Sequence, residues 1–141
     1  MTEKYIYLPH TADAKFRAFG KSLEEAFANA AYAMTDVITD HKKVSNTIKK
    51  KIHVTSEDEK SLLYDFLEQF LILLDTEKFI LSKIINITIR QKKKLSLVAE
   101  FSGDNHPGYY ETKTTIKAVT YQEMEVIQEK GRVTLQVVVD I

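Results

Sequence analysis

The end of the sequence places two carboxylates one residue apart, directly after a mainly apolar segment. Residues 133–139 form this segment, and Asp140 and Ile141 follow it. The segment predicts a strand, in which Asp140 lies on the face opposite Val139. A carboxylate fixed at the end of a sheet can bind a hard divalent cation such as Ca²⁺, Mg²⁺ or Mn²⁺. The spacing alone equally allows Asp140 to be a solvent-exposed residue without a function.

A third carboxylate, that of Asp13, lies in the polar segment 9–13 between two predicted strands. His10 stands three residues before it. Asp13 could bind a cation, or it could cap a turn through its side-chain oxygen. The sequence pattern by itself leaves both interpretations open.

Other motifs are weaker indications of chemistry. Residues 20–22 read Gly-Lys-Ser, like the end of a phosphate-binding loop, but Lys15 stands where that loop requires glycine. We interpret these residues as a turn into a capped helix. The sequence has no cysteine, which excludes thiolate metal sites and cysteine catalysis. Its four histidines lack the paired spacing of a zinc site.

Two helices and several strands must position these residues. Ser22 with Glu25, and Ser56 with Glu59, form capping signatures before stretches of helical apolar periodicity. Alternating or apolar stretches predict strands at residues 5–8, 14–19, 51–55, 85–90, 95–101, 115–127 and 132–139. Residues 103–108 predict a loop. The predicted fold class is α+β, a single domain over residues 1–141 with two helices packed on a largely antiparallel sheet.

Composition limits the classes of function. The chain has 141 residues, with 20 acidic and 20 basic side chains, so no net charge attracts it to nucleic acid or to a membrane. Residues 1–5 do not resemble a signal peptide, and the longest apolar run, residues 70–74, is too short to span a bilayer. We expect a cytoplasmic protein without a membrane partner. Lysine runs at 49–51 and 92–94 lack interleaved aromatic residues, which argues against direct RNA contact.

Four separated blocks together resemble the archease family. They are an N-terminal block, made of the His-Thr-Ala-Asp sequence at 10–13, Gly20 and the helix start at 22–27; the second helix at 62–75; and two C-terminal blocks, at 116–121 and at 138–141. The similarity covers essentially the whole chain, in the same order. It implies an accessory protein of tRNA splicing, not an independent enzyme, which activates the RtcB-type RNA ligase. Such activators promote guanylylation of the ligase and multiple turnover, and they broaden its nucleotide choice.

The resemblance also implies a site. Members of the family bind a divalent cation through residues that correspond to Asp13, Asp140 and Ile141, the last through its backbone or terminal carboxylate. The chain's link to tRNA and GTP would be indirect, through the ligase.

Other positions of this resemblance suggest contacts with the partner or with phosphate. Lys117 could contact phosphate or balance Asp13 or Asp140, and His10 could orient the loop that carries Asp13. Asp104 and His106 stand where the family often has an acidic residue and a histidine. Gln122 stands where many members have a histidine, so a role of that side chain is not expected here.

Two alternatives remain open at this point. The chain could be a metal-dependent phosphoester hydrolase acting alone, although no general base or nucleophile accompanies the carboxylates in the sequence. It could also be a chaperone-like binding module, which would be favoured if Asp13 lay far from the C-terminus in space.

Overall fold

The computed structural model describes residues 3–141, which form two α-helices and eight β-strands. The helices are α1 (Leu23–Ile38) and α2 (Glu59–Glu77). The strands, in chain order, are β1 (Tyr5–Leu8), β2 (Asp13–Gly20), β3 (Ile48–Ser56), β4 (Ile80–Gln91), β5 (Leu95–Asp104), β6 (Ala118–Val119), β7 (Glu125–Glu129) and β8 (Arg132–Asp140). Short 3₁₀ turns lie at His41–Lys43 and Pro107–Tyr109.

The strands form two antiparallel sheets. The first has the order β1-β2-β8-β6, and β7 also pairs with β8. Because β2 pairs along nearly all of β8, both β6 and β7 lie on the other side of β8, at its two ends. The second sheet has the order β3-β5-β4. The predicted α+β class, with two helices and largely antiparallel strands, is confirmed.

One hydrophobic core joins both sheets and both helices. Helix α1 contacts β1, β2 and β8 of the first sheet and β4 of the second, whereas α2 contacts β3, β4 and β5 as well as β6 and β7. Four phenylalanine rings connect α2 to the second sheet, with centroids 4.8–5.6 Å apart; they are Phe66, Phe70, Phe79 and Phe101. Within residues 3–141, no helix is long and apolar enough to cross a membrane.

The two helices begin differently from one another. Helix α1 begins as predicted, with the Ser22 side chain accepting a hydrogen bond from the Glu25 N–H at 3.1 Å. The prediction for α2 was wrong by two residues, since Asp58 is the N-cap and Ser61 completes the capping box. Ser56 instead ends β3, because the pairing of that strand with β5 continues to this residue.

Two strand predictions also required correction. The single strand predicted at 115–127 is divided into β6 and β7 by residues 120–124, because each part pairs with a different end of β8. The loop predicted at 103–108 begins two residues later, since Gly103 and Asp104 still pair with β4. Strand β4 itself starts earlier than predicted, at Ile80.

Strand β4 is an edge strand of twelve residues with two register shifts in its pairing with β5. Side chains of α1 bind its main chain. The Ile84 N–H donates to the Tyr32 hydroxyl at 2.8 Å, and the Ile89 N–H donates to the Glu24 carboxylate at 3.4 Å. The Tyr32 ring is in turn stacked on His41, with ring centroids 4.3 Å apart. Helix α1 therefore covers part of the open edge of the second sheet.

Gly20 is required by close packing between β2 and α1. A Cβ atom at this position would lie 2.4 Å from the Ala26 nitrogen. We expect Gly20→Ala to lower the free energy of unfolding by about 1–3 kcal/mol, because backbone atoms of the helix cannot move aside cheaply. Urea denaturation measures this change. Gly108→Ala is the control, since nothing lies within 4 Å of its Cβ position; an equal loss in both variants would contradict the packing explanation.

Candidate functional site

The register between β2 and β8 places Asp13 directly opposite Asp140. In an antiparallel pair, opposite residues point to the same face, with their Cβ atoms roughly 4.5–5.5 Å apart. Ile141 follows directly, and the Lys117 N–H donates to the Asp140 carbonyl oxygen at 2.7 Å, which fixes the main chain there. Three residues predicted as cation ligands therefore meet at one end of the first sheet.

The acidic pair is accessible to solvent. The Asp13 side chain is 23% exposed, Asp140 is exposed and Ile141 is half-buried. The predicted side of Asp140 is correct, since Gln136 and Val138 share its face through the pairing with β2. These two residues are nevertheless buried.

Residues 120–124, which we call the strap, connect β6 to β7. Strands β6 and β7 both pair with β8, and the strap interrupts this pairing between them, as a β-bulge does. The N–H and the hydroxyl of Thr120 both donate to the Val138 carbonyl oxygen, at 3.2 and 2.8 Å. The Gln136 amide donates to the Glu123 carbonyl oxygen at 2.8 Å. The strap is thus bound along the outer face of β8.

Two further contacts fix the strap to the rest of the protein. The Tyr121 ring stacks on Tyr64 of α2, with centroids 4.4 Å apart and planes at 9°. Met124 is buried and belongs to the hydrophobic core. Glu123 lies between these residues in a left-handed backbone conformation, with φ 52°. A non-glycine residue rarely adopts this conformation.

The Glu123 carboxylate binds two basic side chains of the first sheet and its hairpin. One oxygen accepts from the Lys15 ammonium at 2.9 Å, and the other contacts His10 Nε2 at 3.0 Å. These two hydrogen bonds, that of Lys15 first, lower the pKa of the Glu123 carboxyl. Sequence analysis missed both Lys15 and Glu123. No local pattern indicates that Glu123 reaches across β8, because that contact depends on the strap.

His10 lies between two carboxylates. Its Nδ1 atom is 3.5 Å from the Asp13 Oδ2 atom, within ion-pair distance, yet this buried nitrogen has no hydrogen-bond partner among the described residues. An ionised carboxylate only accepts hydrogen bonds, and a neutral imidazole donates from one nitrogen. Neutral His10 can therefore satisfy either Asp13 or Glu123, but not both. His10 thus lies within ion-pair distance of Asp13, and its role in orienting the loop of Asp13 stays a prediction.

The backbone before Asp13 is held in an unusual conformation. Ala12 has φ 64°, in the left-handed region that costs an alanine roughly 1–2 kcal/mol. Such strained residues persist where surrounding contacts determine the conformation, and they cluster at functional sites. This turn presents the Asp13 carboxylate at the first position of β2.

The donor atoms at this end of the sheet suit a hard cation. Asp13 and Asp140 supply carboxylate oxygens, and Ile141 can add main-chain oxygens. No group of three or more His, Cys, Asp or Glu side chains in the described part of the chain could hold a metal by itself. A cation here would therefore depend on main-chain oxygens and water for the rest of its coordination. Oxygen ligands of this kind fit Ca²⁺, Mg²⁺ or Mn²⁺ and not a soft metal.

Asp104 and His106 form a separate group at the end of the second sheet. The buried Asp104 carboxylate accepts hydrogen bonds from Thr47 at 2.9 Å, from Tyr110 and from the Asn105 N–H at 2.9 Å. The exposed His106 lies 3.2 Å from it. These bonds, led by that of Tyr110, lower the pKa of Asp104 to about 2. Within residues 3–141, neither residue is hydrogen-bonded to Asp13 or Asp140, so the structure does not join the two groups.

Lys117 lies beside Asp140 in the structure. Its N–H binds Asp140, while its exposed side chain forms no ion pair with the described residues. A contact of its ammonium group with a partner or with phosphate stays a prediction.

Asp104→Asn is expected to lower the free energy of unfolding at pH 7 by about 1–3 kcal/mol, because a buried acceptor of several hydrogen bonds is lost. The folded pKa of about 2 is below the ordinary 3.8. The carboxylate therefore stabilises the fold above pH 4, and this contribution is lost as the pH falls towards 2. The variant should show a flatter decline of stability between pH 4 and 2, measured by urea denaturation. Glu100→Gln, exposed on the same strand, is the control; identical pH profiles for Asp104→Asn and wild type would contradict the prediction.

Comparisons with known proteins place this arrangement in context. Residues 5–141 match the sequence profile of the archease protein family. A protein archease of Methanosarcina mazei is 42% identical over 141 residues, covering 99% of this chain and 97% of that protein. A protein archease of Sulfurisphaera tokodaii is 36% identical, with 99% of each chain covered.

Two solved structures are also similar. The solution structure of a Methanobacterium thermoautotrophicum protein is 37% identical, with a TM-score of 0.87 and coverage of 98% of this chain and 99% of that one. The crystal structure of a Thermotoga maritima protein, described as an archease and possible chaperone, has a TM-score of 0.61 at 19% identity, covering 95% of this chain and 94% of that one. This second likeness concerns the fold alone.

Proposed function

Because the chain belongs to the archease family, we propose that it is an accessory protein of tRNA splicing that activates an RtcB-type RNA ligase in the cytoplasm. It promotes guanylylation of the ligase, supports multiple turnover and broadens the choice of nucleotide. It catalyses no reaction itself. Its relation to tRNA and GTP is indirect, through the ligase.

The observation that supports this proposal most is the register that pairs Asp13 with Asp140. Two blocks at opposite ends of the sequence supply the carboxylates, and the fold makes them direct neighbours on an accessible face. Uncompensated carboxylates at this distance repel one another, so a cation between them relieves an unfavourable arrangement. A chaperone-like module without a functional acidic site has no need of this pairing.

The residues of this site would act on the nucleotide step of the ligase. Asp13, Asp140 and the main-chain oxygens of Ile141 would hold a divalent cation, Ca²⁺, Mg²⁺ or Mn²⁺. When bound, such a cation neutralises charge on phosphate oxygens. Lys117 would add a second positive group beside it, and the strained turn at Ala12 keeps Asp13 in place. The end of the sheet would thereby stabilise the charge of the triphosphate in the ligase active site.

The test is an assay of ligase guanylylation with GTP, carried out with and without this chain. We expect substoichiometric amounts to accelerate formation of the ligase–guanylate adduct. Release of phosphate from phosphoesters by the chain alone, without any effect on the ligase, would favour a hydrolase instead. Suppression of ligase aggregation without faster guanylylation would favour a chaperone-like module.

A further inference from the structure

Two basic side chains lie close enough to compete with a cation for the acidic pair. Lys15 is two residues beyond Asp13 on β2, so both side chains lie on the same face of the sheet. The Nδ1 atom of His10 is 3.5 Å from the Asp13 carboxylate. An ammonium group that paired with Asp13 or Asp140 would reduce the negative charge that attracts a divalent ion.

The structure shows both basic groups bound to Glu123, and only His10 also lies within ion-pair distance of Asp13. One oxygen of Glu123 binds the Lys15 ammonium at 2.9 Å, and the other contacts His10 Nε2 at 3.0 Å. Among residues 3–141, no lysine or arginine forms an ion pair with Asp13 or Asp140. Glu123 thus binds Lys15 and His10, two basic groups close to Asp13 in the sequence.

The strap gives this carboxylate a fixed position. Its main chain is bound to β8 through Gln136, and Tyr121 is stacked on α2. The Lys15 side chain is only 16% exposed, so its ammonium group has few other partners to choose from. A Glu123 side chain in a mobile loop could not hold two groups at once without a large entropic cost.

We propose that Glu123 is a positioning residue that holds the Lys15 ammonium group away from the Asp13–Asp140 pair and so keeps that pair available to a divalent cation. The inference rests on the proposed cation site. The strap would thereby support the cation site without supplying a ligand to it. Glu123 need not touch the ion; it acts through the basic groups that it retains.

Calorimetric titration with CaCl₂ tests this directly, using five purified forms of the chain. Glu123→Gln keeps the shape of the side chain but loses its charge, and we expect Ca²⁺ to bind about tenfold more weakly, as is common for residues that support metal ligands. Adding Lys15→Met to that variant should restore most of the affinity, because the released ammonium group is then absent. Glu125→Gln, an exposed glutamate two residues further on, should bind like wild type.

The rescue separates this role from a merely structural one. A strap that only stabilises the fold predicts that Lys15→Met adds damage to Glu123→Gln, with no recovery of affinity. Lys15→Met alone should bind Ca²⁺ at least as tightly as wild type, and weaker binding would overturn the inference even if Glu123→Gln did not fold. Circular dichroism establishes that each form is folded.

The possible failures are distinguishable. Wild type that binds Ca²⁺, together with a Glu123→Gln variant of equal affinity, overturns the role of Glu123 and leaves the proposed cation site standing. Wild type that binds no Ca²⁺ overturns both.

Discussion

Replacing Asp13 with asparagine is expected to abolish both Ca²⁺ binding and the stimulation of ligase guanylylation. The substitution keeps the size of the side chain and removes one negative charge from the pair with Asp140. Two unit charges about 4 Å apart interact by about 4 kcal/mol at the effective dielectric near a protein surface, and the charge of a divalent ion doubles this energy, so the loss in affinity is expected to be at least roughly a thousandfold. Asp140→Asn should have an effect of the same order. Calorimetry measures the binding, and the rate of ligase–guanylate formation measures the stimulation.

The matched control for this experiment is Asp75→Asn. Asp75 is an exposed residue of α2, and the same chemical change there should affect neither binding nor stimulation. Full stimulation by both Asp13→Asn and Asp140→Asn, in proteins shown to be folded, would remove the acidic site from the mechanism. Lost stimulation with unchanged Ca²⁺ binding would instead assign the carboxylates to direct contact with the ligase.

Phe101→Ala is expected to have the largest effect on stability, a loss of about 3–5 kcal/mol in the free energy of unfolding. Phe101 is fully buried on β5, and its ring lies 4.8 Å from that of Phe70 on α2 and 5.6 Å from that of Phe79. Truncation leaves a cavity between α2 and the second sheet. Urea denaturation should show a lower midpoint.

This variant also separates stability from binding. Phe101 belongs to the second sheet, whereas Asp13 and Asp140 pair in the first. Under conditions where the variant remains folded, its Ca²⁺ affinity should equal that of wild type. Ile85→Ala, on the neighbouring strand at a position 48% exposed, is the control and should lose much less stability. A loss of affinity in folded Phe101→Ala would indicate that the two sheets are coupled.

The sequence predicted the elements whose signals are local. Helix α1 was located from its cap and periodicity, because Ser22 and Glu25 interact within one turn. The start of α2 was misplaced because its cap is an aspartate, Asp58, closed by Ser61, while the more familiar Ser–Glu spacing at Ser56 belongs to the end of a strand. The extent of β3 depends on its partner β5, which local composition does not reveal.

The candidate site was predicted only in part, for the same reason. Asp13 and Asp140 are adjacent through the pairing of β2 with β8, and the family resemblance indicated this where spacing alone did not. The role of Glu123 was not predictable. Its contacts with Lys15 and His10 require the Glu123 side chain to reach from the strap past β8 to β2 and its hairpin, and the strap exists because β6 and β7 pair with different ends of β8.

The contacts between α1 and the edge strand β4 bear on how this protein avoids aggregation. An edge strand of twelve residues with an exposed Ile85 would ordinarily be a template for strand addition by other chains. The Tyr32 hydroxyl and the Glu24 carboxylate occupy amide groups of that strand, and the two register shifts further disturb a regular ladder. The helix therefore protects this edge from strand addition as well as contributing to core packing.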